Sequence, residues 1–299
     1  MNTEPPQAVE NILGGFEKRR PLRAGSLIVT VFGDAIVPRG GSLWLGALLD
    51  IMALFGSEAG LVRTALTRLV QDGLFERSRA GKNSYYRLSP QGARMFATAT
   101  HRIYRTQEPA WSGALDVALL SGLEPKARGA AREVLAALGF GQQAPTVLLR
   151  PVTDSQPEKP QLPDLVWLKA EIEGGPDAAR ALGASAWQLA PVAVGYARFI
   201  ETFAPLATGA GKPSLAAAEA FRLRILLIHE YRRIILRDPL LPKAFLPADW
   251  PGFAARRLCR ELYQATLKAS ESWLDAHGSA QGGALPAPDA AFHQRFAKA

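Results

Sequence analysis

The sequence predicts a multidomain α+β chain with an N-terminal winged helix-turn-helix, a central small α/β domain of ferredoxin-like kind and a C-terminal helical domain. Three observations predict it. Leu43–Leu88 reads as a helix, a tight turn, a second helix and a basic β-hairpin. Strand and helix patterns alternate from about Pro109. After the break Thr208–Pro213, the remainder is periodic in the helical sense. A length of 299 residues favours two or three domains over one, and 48% hydrophobic residues suffice for real cores.

In chain order, Met1 to about Gly15 reads as a tail, with 1–20 taken as flexible. Glu17–Arg23 (EKRRPLR) is a basic segment, either an arm that touches DNA or a solvated lead-in. The winged-helix domain is expected over 21–108. Ser26 to about Ile36 forms its first helix, stopped by Val37-Pro38-Arg39-Gly40-Gly41. Ser42 is placed as the cap of the next helix, whose stripe is Leu45, Leu48, Leu49, Met52 and Phe55. Ser57 caps and Gly73 ends the second helix of the motif, whose apolar stripe is Val62, Ala65, Leu66 and Leu69. Leu74–Arg79 and Ser84–Leu88 alternate as strands around a turn at Ala80–Asn83, and Ser89-Pro90 opens a further helix.

The central domain is expected over 109–207. Its strands are Ala110–Leu120, Thr146–Arg150 and Leu165–Ile172; its helices are Pro125–Phe140 and about Ala184 to Phe203. The C-terminal helical domain is expected over 208–278. One helix is capped by Ser214 and ended by Asp238-Pro239; the other starts at Trp250-Pro251 with the stripe Ala254, Leu258, Leu262, Ala265, Ala269 and Trp273. Residues 279–299, with the low-complexity run before Asp289, read as a second flexible tail.

Charge and residue type point to a polyanionic partner. The net charge is +8; residues 1–105 hold 14 Lys+Arg against 8 Asp+Glu, and the rest hold 21 against 19. Positive charge is thus concentrated where the helix-turn-helix lies, which favours nucleic acid through counterion release. On the second helix of the motif, Arg63, Thr64, Thr67, Arg68 and Gln71 face away from the apolar stripe. Arginine can read guanine and glutamine adenine by paired hydrogen bonds, so these are the candidate base-reading residues. In the hairpin, Arg77, Arg79, Lys82 and Asn83 are candidates for backbone or minor-groove contact; of Tyr85 and Tyr86, one is expected inward and the other toward DNA. Ser42, at a helix N-terminus, is a candidate phosphate holder.

Enzyme signatures fail. Gly139–Ala144 (GFGQQA) has the letters of a dinucleotide fingerprint but follows a helix and precedes a strand, the reverse of what phosphate binding needs. Gly211-Lys212 lacks the rest of a P-loop, and Ser185 lacks the second glycine of a nucleophile elbow. His101, His229, His277 and His293 are dispersed, so no metal or cofactor is expected. Cys259, the single cysteine, is expected to be buried beside Leu258 and Leu262 and excludes an internal disulfide. Glu171 and Glu173 have no identifiable acid or base partner. With no signal peptide or membrane span legible, a cytoplasmic protein is expected.

The run SLIVTVFGDAIVPRGGSLWLGALLDIMALFG (26–56) and the block HEYRRIILRDPLLP…LPADWPG (His229–Gly252) carry a resemblance to the PaaX family, the repressors of bacterial phenylacetic acid degradation. The resemblance implies a homodimeric repressor on an operator with dyad character, released by an aryl-CoA thioester, phenylacetyl-CoA in the best-known members. An acyl-CoA needs cations for its phosphates and an apolar slot for its acyl group. His229, Arg232, Arg233 and Trp250 are therefore candidate effector residues, with Trp111 as a pocket wall. Pairing of Arg233 with Glu230 is the structural alternative. Regulation of another operon by a different acyl-CoA, activation instead of repression, and a DNA-tethered enzyme of CoA chemistry stay open as alternatives.

Overall fold

The computed structural model describes residues 7–18, 23–105, 107–154, 156–162, 164–207 and 215–296. Most of the expected basic arm, the break at 208–213 and the Ser214 cap lie outside the described residues. In order, the elements are α1 (Gln7–Lys18), α2 (Ala24–Val31) running into a π-helical turn (Phe32–Ile36), β1 (Ser42–Trp44), α3 (Leu45–Ala53), α4 (Ala59–Gln71), β2 (Phe75–Ala80), β3 (Asn83–Leu88) and α5 (Pro90–Tyr104). Then come β4 (Trp111–Leu119), α6 (Pro125–Ala137), β5 (Gly141–Ala144), β6 (Val147–Thr153), β7 (Val166–Glu171), α7 (Gly175–Ala186) and α8 (Leu189–Phe203). The remainder is α9 (Ala217–Ile235), α10 (Pro251–His277), β8 (Ser279–Ala280), β9 (Gly283–Ala284) and α11 (Ala290–His293).

The chain folds into two compact units, one of Met1–Thr106, Ala197–Arg233 and Phe253–Ala299, the other of Gln107–Tyr196 and Ile234–Gly252. The fold is mixed α/β, as expected. The expected C-terminal helical domain, however, does not stand apart. Phe221, Ile225, Trp273 and Leu274 from α9 and α10 share one apolar core with Leu27, Val31, Leu48, Met52, Leu66 and Phe75 of the helix-turn-helix region. The driving force is apolar area: neither the short helices α2 and α3 nor the arginine-rich α9 could bury its stripe alone.

In the first unit the sheet order is β1-β3-β2, all antiparallel. Ser42 therefore starts a strand and does not cap a helix; Trp44 is the residue before α3 and makes no side-chain cap. Likewise Glu58, not Ser57, precedes α4. The hairpin turn is tighter than expected, with Ala80 paired to Asn83 and Gly81 at φ 58°, a left-handed conformation that glycine adopts without Cβ strain. The two ends expected to be tails are structured. α1 buries Val9, Leu13 and Phe16, and beyond α10 Leu285, Phe292 and Phe296 are buried. Their composition is that of a linker, but these few large residues supply enough apolar area to hold them down.

In the second unit the antiparallel sheet order is β5-β6-β4-β7, and α6 covers one face through Ala131 and Leu135 against Ala118 and Leu148. β5 falls on the false dinucleotide fingerprint, a stretch to which sequence pattern assigns no strand. β6 and β7 flank β4 and both run antiparallel to it, so the chain must return the length of the sheet between them. In a ferredoxin-like arrangement that return is a helix; here residues 154–165 make it with no helix or strand among the described residues, and α7 follows β7. The single helix expected over about 184–203 is two, parted at Trp187-Gln188.

Candidate nucleic-acid interface

α4 is amphipathic at helical spacing. Val62, Leu66 and Leu69 are buried, and Ala65 faces Gly25 of α2, where an added Cβ would stand 3.8 Å from the Ala65 Cβ. The opposite face is exposed: Arg63, Thr64, Thr67, Arg68 and Gln71 all reach solvent, and between Ala59 and Gln71 there is no carboxylate to neutralise them. Thr64 and Thr67 donate their hydroxyls back to the carbonyls of Gly60 and Arg63 at 3.0 Å each. That leaves their oxygens as acceptors and their methyl groups outward. Leu61 shares this face, one turn before Thr64, and is 53% exposed. Sequence reasoning gave it no role; an apolar residue that breaks the buried stripe was the signal, and an exposed leucine among cations suits a thymine methyl.

The hairpin continues this surface. Arg77 and Arg79 alternate with Phe75 and so lie on the face of β2 that carries the core, beyond the core's edge. Arg77 donates through Nε and Nη2 to Ser84 Oγ at 3.2 and 2.7 Å, and Lys82 is exposed at the turn while Asn83 is half-buried. On the other face Arg87 is paired with Glu76 at 3.0 Å. The expectation for the tyrosines needs correction: Tyr85 and Tyr86 are both buried. β3 is the central strand, so β1 and β2 flank both side chains. Ser42 lies in β1 opposite Arg87, without a helix N-terminus behind it.

The candidate effector residues divide between the units. In the first, His229 is buried with Nδ1 2.9 Å from Thr30 Oγ1. Burial, then the neighbouring Arg232 and Arg233, depress its pKa to about 3, so it is neutral at pH 7 and tied to α2. Arg232 donates through Nη2 to both Ser26 O and Oγ at 2.9 Å. Arg233 is 54% exposed and pairs with Glu230 at 3.4 Å, the structural alternative anticipated above. In the second unit, Trp250 is buried edge-on against Tyr196 at 6.0 Å, and a Cβ on Gly252 would lie 2.5 Å from its Nε1. Trp111 donates Nε1 to Ala114 O at 2.9 Å and meets the Phe245 ring at 4.9 Å. Both tryptophans make their ring contacts within the second unit.

A buried ionic cluster in the first unit joins residues far apart in the chain. Arg224 is 0% exposed. Its Nε meets Asp34 Oδ2 at 2.7 Å, its Nη1 meets Glu271 and, at 3.2 Å, Ser270 Oγ. Tyr104 donates to Asp34 Oδ1 at 2.5 Å, and Arg295 donates to the Asp34 and Gly33 carbonyls at 2.7 and 3.0 Å. Arg39, also buried, joins Glu271 at 3.2 Å and Asp275. Burial opposes the Arg224 cation, and Asp34 and Glu271 outweigh it, so the guanidinium is held more firmly protonated. Burial and then Asp34 push the Tyr104 hydroxyl upward. A lone acid inside VFGDAI and an arginine inside the apolar run of α9 were the available signals.

Cations, hydroxyls and an amide on one exposed helix, beside a cationic hairpin, can hold phosphates and read base edges; that is the equipment of a nucleic-acid-binding protein. Comparison with known proteins narrows the class. The PaaX-like protein family matches over residues 23–92 and the PaaX-like protein C-terminal domain over 187–276. The chain is 36% identical over 286 residues to the transcriptional repressor PaaX of Escherichia coli (strain K12), covering 92% of this chain and 90% of that one. It belongs to the PaaX-like family. It is also similar in structure to the uncharacterized protein Rv0674 from Mycobacterium tuberculosis, with a TM-score of 0.50 and 25% identity over 76% of this chain and 89% of that chain. Among the described residues no helix is long and apolar enough to cross a membrane.

Proposed function

We propose that this chain is a transcriptional repressor that binds double-stranded operator DNA, with α3, α4 and the β2–β3 hairpin working as a winged helix-turn-helix. The observation that carries the reading is the exposed, carboxylate-free face of α4. α4 enters the major groove, where Arg63, Arg68 and Gln71 reach base edges and Thr64, Thr67 and Leu61 contact bases or thymine methyls. Arg77, Arg79, Lys82 and Asn83 hold the backbone or minor groove. The repressor named for the E. coli relative supports the sign of regulation.

The protein acts in the cytoplasm as a homodimer that sets two copies of α4 on half-sites roughly 10 bp, or a multiple, apart. It governs an aromatic, phenylacetate-type catabolic operon and is released by an aryl-CoA thioester such as phenylacetyl-CoA. The effector favours a geometry in which the two helices no longer fit the operator, and its effect is bounded by its differential affinity for the two states. Fluorescence anisotropy with DNA from the chain's own upstream region tests the reading. Affinity well above that for scrambled DNA, lost on adding phenylacetyl-CoA, supports it. Equal affinity for both DNAs would refute it.

A further inference from the structure

At the N-terminal end of α4 stands a carboxylate that the fold does not use. Glu58 precedes the helix with extended backbone, φ −67° and ψ 142°, and its carbonyl accepts from Val62 N at 3.1 Å. Its side chain is exposed and makes no cap bond to the first N–H groups of α4. Among the described residues it meets no cation, whereas Glu76, Glu230 and Glu271 are each paired with arginine. Leu61, Thr64, Arg68 and Gln71, all exposed, follow it at steps of three, three, four and three residues. Glu58 thus heads the face proposed to enter the major groove. The turn beside it is bare. Ala59 and Gly60 are exposed, and a Cβ on Gly60 would meet nothing within 4 Å. By contrast, a Cβ on Gly92 would lie 2.2 Å from Leu74 O. Glycine weakens a helix, and at position 60 no neighbour requires it. What it provides there is close approach of the backbone to something outside the chain.

A carboxylate beside DNA is repelled by phosphates, and in the major groove it has one good partner. Ionised, it only accepts hydrogen bonds. Guanine presents two acceptors, thymine an acceptor and a methyl group, adenine a donor beside an acceptor; cytosine presents an amine with no acceptor next to it. We propose that Glu58 reads a cytosine in each half-site, accepting from its N4 amine, and that Gly60 gives the head of α4 the close approach this needs. The proposal goes beyond the DNA-binding reading above and rests on it. Away from a cytosine the same carboxylate faces acceptors and phosphates. It therefore weakens binding to wrong sequences as well as strengthening binding to the right one.

Selection from a random duplex pool tests this, with the full-length parent run beside Glu58→Gln and Gly60→Leu. The parent should enrich a site with a fixed cytosine in each half. Glu58→Gln, whose amide pairs with adenine, should turn that position from cytosine toward adenine and leave the rest of the site as it was. On the parent's site its affinity, read by fluorescence anisotropy, should fall about tenfold, the size of one lost base contact. Gly60→Leu should melt at or above the parent, because no atom stands where its side chain begins, and should bind all sequences about tenfold more weakly. The same site from the parent and Glu58→Gln overturns the proposal. So does a Glu58→Gln that gains affinity for every sequence alike, which is relief of repulsion and nothing more. A Gly60→Leu that melts lower, or that binds as the parent does, overturns the part given to Gly60. No enriched site from the parent refutes the DNA-binding reading itself, and this proposal with it.

Discussion

At the residue scale, position on α4 separates reading from holding. Arg68 lies on the exposed face with no carboxylate on its helix. Arg68→Ala should weaken operator binding by about 1–3 kcal/mol and relax preference at one base position; unchanged affinity in a gel shift removes it from the interface. Lys82, at the hairpin tip, should behave otherwise, lowering affinity for all sequences alike and reducing the salt slope by about one. A lysine variant that changes sequence preference would contradict the backbone role. His229 gives a different kind of test. Its folded pKa is depressed to about 3 from an ordinary 6.5. Between those values the unfolded chain binds a proton that the folded chain refuses. The stability it contributes is therefore full above pH 6.5 and is lost as pH falls toward 3, by up to about 1.4 kcal/mol per pH unit. Urea titrations from pH 7 to 4 should show a shallower decline for His229→Gln than for the parent; parallel declines would mean that His229 charges freely in the fold.

At the element scale, the π-helical turn after α2 is where the buried charges meet. Its Asp34 faces two arginines and a tyrosine in a site closed to solvent. Removing one partner from such a set strands the others, so Asp34→Asn should cost about 3–5 kcal/mol, read as a shift in the urea midpoint. A change below about 1 kcal/mol would mean that the arginines find other partners. This element also shows why some of the structure was legible in the sequence and some was not. α4 and the hairpin were read correctly because their periods, 3.6 and 2, are written by apolar residues every few positions. β1 is three residues long and has no period to read, so the sequence alone suggests a cap at Ser42. Strand alternation predicts that one of Tyr85 and Tyr86 points outward; both are buried, in a β3 that has a neighbour on each side. The contacts of Asp34 with Arg224 and Arg295 span separations of 190 and 261 residues. No local pattern reports such pairs.

At the scale of the whole molecule, the C-terminal stretch is a structural part of the unit that carries the helix-turn-helix. Phe292 and Phe296 are buried, and Arg295 lies over the Tyr104 and Phe292 rings at 4.2 and 5.1 Å. A chain cut after Gly278 would lose these and leave Asp34 with one arginine fewer. It should melt lower than the full chain and become protease-sensitive within the first unit; an unchanged melting temperature would show that the segment is dispensable. Composition concealed this, because glycine, alanine and proline around a few aromatics look like a linker until a partner surface 200 residues away is known. The effector candidates His229, Trp111 and Trp250 are the residue types a ligand needs, and each has partners within its own unit that no local pattern reports.

The central claim is that α4 reads DNA and that the hairpin beside it holds the duplex. Selection of bound sequences from a random duplex pool, carried out in parallel with the parent chain and with Arg63→Ala/Arg68→Ala, tests it most directly. The parent should enrich a site with dyad symmetry and half-sites roughly 10 bp or a multiple apart. The double variant should keep salt-dependent binding through the hairpin while losing enrichment at the positions those arginines contact. No enriched site from the parent, or the same site from both proteins, would contradict it.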